Sequence, residues 1–275
     1  MSTPVRYLAA ASCSIAVILF GFTSSSSAAS AATVVAAWEM NESAGAHTLH
    51  DSGPDKIHGT IGSAVTTGAV VDGAVAHHRS TVDPDISPLD PERLAVVIDD
   101  DRLDPADGGH VLTVRLRTTS PFGNVVQKGQ SGTVGGFFKL EINSGRVSCL
   151  HRGDLGTVSI TSGRIDDGLW HSVTCRRGVD WVELAVDDAA VGRRDGPIGT
   201  TNNRSPVTIG GKGRCDQRTV GCDYFSGDLD AVRVGRFTDA VAVVEPTTTT
   251  TVAPTAAAPP PIPVALVAAP APVVK

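Results

Sequence analysis

Hydrolysis of a glycosidic bond with retention needs two carboxylates about 5–5.5 Å apart. Alternate positions of one strand would supply them, because residues i and i+2 share a face. No Glu-x-Asp-x-Glu run occurs in the chain. Glu39, Glu42, Glu92, Glu141 and Glu183 stand singly, and Glu141 and Glu183 fall on the wet faces of their strands. Asp99-Asp100-Asp101 and Asp166-Asp167 read as turn clusters, and no serine sits in a Gly-x-Ser-x-Gly elbow. His47 with His50, and His77 with His78, occur in loop-like surroundings without a third nearby ligand, so surface positions are expected rather than a metal site. Sugar binding would call instead for an exposed ring to stack on the sugar face. Trp181 is the first candidate, since it alternates out of phase with Val182, Leu184 and Val186, and Tyr224 is the second.

The five cysteines carry the other chemistry. Cys13 lies inside an apolar N-terminal stretch. The remaining four, Cys149, Cys175, Cys215 and Cys222, are even in number and include no C-x2-C pair, which favours disulfides over zinc in an exported chain. Cys149 lies two residues after Val147 and Cys175 two after Val173, so each shares the inner face of its strand. The expected bridges are Cys149 with Cys175 and Cys215 with Cys222.

These groups must be positioned by strands. Between Ala32 and Val241 no window longer than about ten residues keeps a 3.6 period, while short period-2 runs recur between Gly, Asp and Asn clusters. Leu112, Val114 and Leu116 face one way and Thr113, Arg115 and Arg117 the other. Phe138, Leu140 and Ile142 alternate with Phe137, Lys139 and Glu141 in the same manner. Asn143-Ser144-Gly145 and Asp187-Asp188 fall where hairpin turns would join such strands, and Asn, Asp and Gly tolerate positive φ. The expectation is an all-β, two-sheet antiparallel jelly-roll sandwich over residues 33–241.

The ends differ from this middle. Residues 1–32 read as a signal peptide: Arg6 precedes an apolar stretch from Tyr7 to Phe22, and Ala29-Ser30-Ala31 fits A-x-A. A retained anchor is the alternative, although the stretch is short for a bilayer span. Residues 242–275 are rich in Pro, Thr and Ala and read as a disordered stalk or linker with no membrane span. A net charge of −6 and the lack of a basic stripe exclude nucleic acid as the expected partner. The implied location is secreted, extracellular or at the cell envelope.

Five motifs occur in a recognisable order. Ala37-Trp38-Glu39-Met40-Asn41-Glu42 is followed by Asp51-Ser52-Gly53 and His58-Gly59-Thr60. Then come Thr113 to Thr118, Asp167-Gly168-Leu169-Trp170-His171, Val182 to Asp187, and Gly227-Asp228-Leu229-Asp230-Ala231-Val232-Arg233-Val234. Together they resemble the laminin G-like domains of bacterial secreted proteins, within the concanavalin A-like lectin/glucanase superfamily, over about residues 33–238. Asp188 departs from the pattern, which usually has Gly there.

The resemblance implies that Trp38 and Trp170 are core residues. It also implies that Asp230 coordinates a structural calcium, with Asp51 as a second ligand; the alternative is an aspartate bonded to backbone amides. The function it implies is a non-catalytic binding module recognising a glycan or a glycosylated surface partner weakly. A structural or adhesive envelope protein making protein contacts is the alternative, and a degenerate glycoside hydrolase stands third.

Overall fold

A computed structural model describes residues 31–70, 77–80, 95–212 and 223–238. The bulk of the expected signal peptide, the stalk at 242–275, Glu92 and the Cys215–Cys222 pair lie outside these residues. Among the described residues there is no α-helix, only a single 3-10 turn at Asp101–Leu103. No described helix is long and apolar enough to cross a membrane.

The strands are, in chain order, β1 (Thr33–Trp38), β2 (Thr48–Leu49), β3 (Gly59–Ile61), β4 (Thr66–Ala69), β5 (His77–Ser80), β6 (Ala95–Val97), β7 (Gly109–Arg117) and β8 (Phe122–Lys128). They continue with β9 (Phe137–Asn143), β10 (Arg146–Arg152), β11 (Thr157–Arg164), β12 (Trp170–Arg177), β13 (Trp181–Val186), β14 (Ala189–Asp195), β15 (Val207–Ile209) and β16 (Gly227–Phe237). The first sheet has the order β14-β13-β12-β7-β16-β5-β4, with β1 also pairing with β16. The second has the order β11-β10-β9-β8-β15-β6-β3-β2. All of these pairings are antiparallel.

Alternation decides which face is dry. Leu112, Val114 and Leu116 of β7 are buried in the same core as Phe138, Leu140 and Ile142 of β9 and Val182 and Leu184 of β13. Burying a Leu, Val or Phe side chain stabilises the fold by about 1.5–3 kcal/mol each, so a one-residue slip of any of these strands would invert its contribution. Cys149 on β10 and Cys175 on β12 both point inward and form a disulfide, with Cα atoms 5.8 Å apart. The bridge therefore ties the second sheet to the first. The other expected bridge lies outside the described residues.

Two turns take the form their residues dictate. Asn143 pairs with Arg146, and the two residues between them have positive φ, +53° at Ser144 and +75° at Gly145. Val186 pairs with Ala189 across Asp187 (φ 52°) and Asp188 (φ 61°). Such two-residue turns match the twist of the flanking strands. Asp187 also serves as a hydrogen-bond acceptor: Oδ1 accepts from the Ser172 amide at 2.9 Å, and Oδ2 lies 2.8 Å from Nδ1 of His171. Nε2 of His171 lies 3.1 Å from Asp167 Oδ1. Burial works against a charged His171 ring, but Asp187 and Asp167 outweigh it and hold the imidazole pKa above its usual 6.5.

The two expected core tryptophans part company. Trp38 is fully buried and its indole donates to the Ile57 carbonyl at 2.9 Å. Trp170 is only half-buried and lies on the outer face of the first sheet. The reason is parity: it stands three residues before inward-facing Val173, so it shares the outer face with Ser172 and Thr174.

Candidate functional site

A cavity of about 560 Å³ opens on the outer face of the second sheet. Gln127 of β8 and Thr208 of β15 form its floor as a cross-strand pair, facing away from core residues Val126, Val207 and Ile209. The 129–136 loop and the 204–206 segment form the walls, through Gly129, Gln130, Thr133, Val134, Arg204, Ser205 and Pro206. Gly135 makes this packing of loop on loop possible. At φ +88° it occupies the left-handed region, and a Cβ there would lie 1.7 Å from the Asn202 carbonyl oxygen.

The chemistry of the cavity is that of amides, hydroxyls and one guanidinium. The Oε1 atoms of Gln127 and Gln130 are both buried without a hydrogen-bond partner. An unmet buried acceptor costs about 1–3 kcal/mol, so two beside one cavity favour a ligand that brings donors. Sequence reasoning did not single out Gln127, Gln130 or Arg204. Their one legible signal is parity, since Gln127 lies between inward-facing Val126 and Lys128.

Neither expected stacking ring is available. Trp181 does face outward, yet it is only 8% exposed. Phe237 lies 6.0 Å away, centroid to centroid, and the Arg193 guanidinium lies 4.4 Å from the Trp181 ring. Tyr224 is 1% exposed. Its residue makes a bridge to Asn124 of β8.

The expected calcium ligands are also engaged. Asp230 forms an ion pair with Arg115. Asp51 is 2% exposed and accepts three backbone amides: Ala37 N at 2.8 Å and Gly53 N at 2.7 Å on Oδ1, and Ile57 N at 2.7 Å on Oδ2. This is the amide-bonded alternative, and it pins the Asp-Ser-Gly loop to β1. A group of carboxylates does gather elsewhere, at Asp99, Asp101 and Asp104. The fully buried Lys128 projects its ammonium among them, 2.8 Å from Asp99 Oδ1 and 2.9 Å from Asp104 Oδ1, with the Asn203 carbonyl as a third acceptor. The chain's own cation thus fills the place a calcium ion would take, and these residues as arranged do not fit calcium. Burial raises the Asp104 pKa, against the opposing pull of Lys128.

On the outer face of the first sheet, Arg115 and Arg117 lie 4.3 and 5.2 Å from the Trp170 ring. Asp228 takes Arg79 and Arg117, each at 2.6 Å, and Arg233 meets Glu39 at 2.7 Å. Two cavities, of about 350 and 310 Å³, flank this row. The described glutamates each have a basic neighbour. Glu42 meets His78 at 2.7 Å, Glu141 meets Lys139 at 2.5 Å, and Glu183 lies 3.8 Å from Arg193. For Glu42, burial works against the charged form, but His78 and the His50 amide outweigh it and hold the carboxyl below its usual range.

Residues 116–236 match the family model of the laminin G domain. No curated protein matches the chain by sequence. Among solved structures, the mouse laminin α1 chain, domains LG4-5, aligns at 16% identity and a TM-score of 0.42 over 48% of this chain and 37% of that one. The binding domain of Paraclostridial Mosquitocidal Protein 1 aligns at 9% identity and a TM-score of 0.52, over 75% of this chain and 48% of that one. The chain thus spans about a third to a half of these two structures. Domain 4 of AbnA, a GH43 extracellular arabinanase from Geobacillus stearothermophilus solved with arabinotriose, aligns at 11% identity and a TM-score of 0.50, over 75% of this chain and 94% of that one. The two antiparallel sheets and the match over residues 116–236 agree: the fold is a concanavalin A-like sandwich, and this part of the chain is similar to a laminin G domain.

Proposed function

We propose that the domain is a secreted, non-catalytic binding module that takes a glycan, or the glycan of a glycosylated surface partner, in the cavity on the second sheet. The observation that carries this reading is the pair of unpartnered acceptors, Gln127 Oε1 and Gln130 Oε1, in a cavity also lined by Arg204, Ser205 and Thr133. Sugar hydroxyls supply the donors these atoms lack. Support also comes from the fold neighbours, one a toxin binding domain and one an arabinanase domain solved with arabinotriose.

No aromatic ring is among the described lining residues, so affinity rests on hydrogen bonds that replace those to water. Dissociation constants of roughly millimolar size follow for one module, and clustered copies or repeated ligands would be needed for tight attachment. The test is a glycan array with the purified domain, followed by NMR titration of the hits against wild type, Gln130→Ala and Arg204→Ala. Both variants should weaken binding while leaving the spectrum of the core unchanged. Glycan binding indifferent to both substitutions, or no binding across the array, would overturn the reading.

An adhesive module that contacts proteins is the second reading. The Arg–Trp–Asp row on the first sheet favours it, since arginine and tryptophan are enriched at protein interfaces.

A further inference from the structure

Neither the sandwich nor the proposed cavity requires the polar cluster found in the core. His151 follows Cys149 by two residues on the same inward face of β10, and its Nε2 lies 3.6 Å from Cys175 Sγ. The two sulfurs and a ring nitrogen of His151 all lie within 4.8 Å of one another. His110 of β7 stands beside His151, with the two ring centroids 5.6 Å apart. His110 is fully buried, and both its ring nitrogens lack a hydrogen-bond partner, as does Nδ1 of His151. Apolar side chains of similar size would fill this space without unmet polar atoms, so the two imidazoles call for an explanation.

We propose that in its dithiol form the chain holds one zinc-class divalent ion at this place, through Cys149 Sγ, Cys175 Sγ and His151, with His110 as the adjacent fourth donor. Two features fit. First, Zn–S bonds of about 2.3 Å and Zn–N bonds of about 2.0 Å give a tetrahedral S···N edge of about 3.5 Å, and the Cys175–His151 separation is 3.6 Å. Second, binding releases two thiol protons, and two thiolates cancel the two charges of the ion, so the filled site is neutral and avoids the cost of a buried net charge. Thiolate and imidazole together suit zinc rather than calcium or magnesium. The ion and the disulfide exclude each other because they use the same two sulfurs. Either one would staple β10 to β12.

The experiment uses the full chain with Cys13, Cys215 and Cys222 changed to Ser, so that sulfur ligation can come only from the core pair. A water-soluble phosphine opens the disulfide: it gives two electrons, two protons go to the sulfurs, and the phosphine takes up a water oxygen. Refolding without oxygen in the presence of cobalt(II) should then yield one cobalt per chain. A thiolate-to-cobalt charge-transfer band and tetrahedral visible absorption should appear, and zinc should bleach both. His151→Asn should weaken cobalt binding about tenfold or more, and His110→Asn should weaken it and shift the visible band. Far-UV circular dichroism of both variants in the disulfide form checks that they fold. No charge-transfer band from the wild-type pair overturns the proposal. So does a band that folded His151→Asn leaves at full strength.

Discussion

Replacing Lys128 by Met removes the one cation that faces three oxygens at Asp99, Asp104 and Asn203. Met has nearly the same length, so packing changes little and the electrostatic loss dominates. Asp104 has a side-chain exposure of 1% and its Oδ2 already lacks a partner, so it cannot recover by turning to water. Breaking a buried pair in this way costs about 3–5 kcal/mol, a large share of the roughly 5–15 kcal/mol that holds a domain together. Urea unfolding of the disulfide-intact chain at pH 7 should show that loss as a lower midpoint with an unchanged slope. Adding Asp104→Asn should reduce the deficit to about 1–2 kcal/mol, the size of the hydrogen bonds forgone rather than of a stranded charge.

A pH series supplies the sign. Burial already raises the Asp104 pKa with Lys128 opposing it, and without the lysine it rises further. The stranded carboxylate is then protonated as pH falls toward that raised value, and the deficit of the single variant should narrow. Calcium, added to the same single variant, should restore part of the midpoint through Asp99, Asp101 and Asp104, and should leave wild type unmoved. A Lys128→Met chain within about 1 kcal/mol of wild type at pH 7 would refute the reasoning, because the pair would then contribute no more than an exposed one.

Other outcomes follow from the same geometry. His171 has a raised pKa when folded, so its contribution is complete below the unfolded value near 6.5 and is lost as pH rises through the folded one; the stability gap between wild type and His171→Gln should shrink across that rise. Glu42 has a lowered pKa, so the gap between wild type and Glu42→Gln should be present above about 4.5 and vanish as pH falls through the folded value. Asp188→Gly, at φ 61°, should raise stability by about 0.5–1 kcal/mol in urea titration, since glycine takes the left-handed region without strain. The double variant Cys149→Ala/Cys175→Val should lose about 3.5 kcal/mol relative to the intact chain, for a sequence separation of 26.

What could be read from the sequence is what parity and nearest neighbours control. Leu112, Val114 and Leu116 declare a strand and its dry face by themselves, and Cys149 and Cys175 declare their facing through Val147 and Val173 two residues earlier. Trp170 was readable by the same rule, and its place in a family motif pointed the other way. Exposure was less legible than direction. Trp181 faces outward as its alternation requires, but Phe237 from the far end of the chain and Arg193 from the next strand cover it. Lys128 has inward parity in a polar residue type, and the acceptors that let it stay buried are 24, 29 and 75 positions away. The cavity is set by the approach of the 129–136 loop to the 202–206 segment, which nothing local to either encodes apart from the glycines.

The pairing of β1 with β16 places Thr33 opposite Arg236, so the polypeptide enters and leaves the sandwich at neighbouring points. A domain with that geometry can be spliced into a surface loop of another protein while barely parting the two sides of the splice. Tension applied through the flanking segments acts differently from heat. It bears first on the Thr33–Arg236 rung and opens the β1–β16 ladder one rung after another, as a zipper does, while the Cys149–Cys175 bond, linking β10 to β12, lies outside that path. Pulled by its ends, the module should therefore shed β1 at low force and keep the cross-linked remainder folded until higher load.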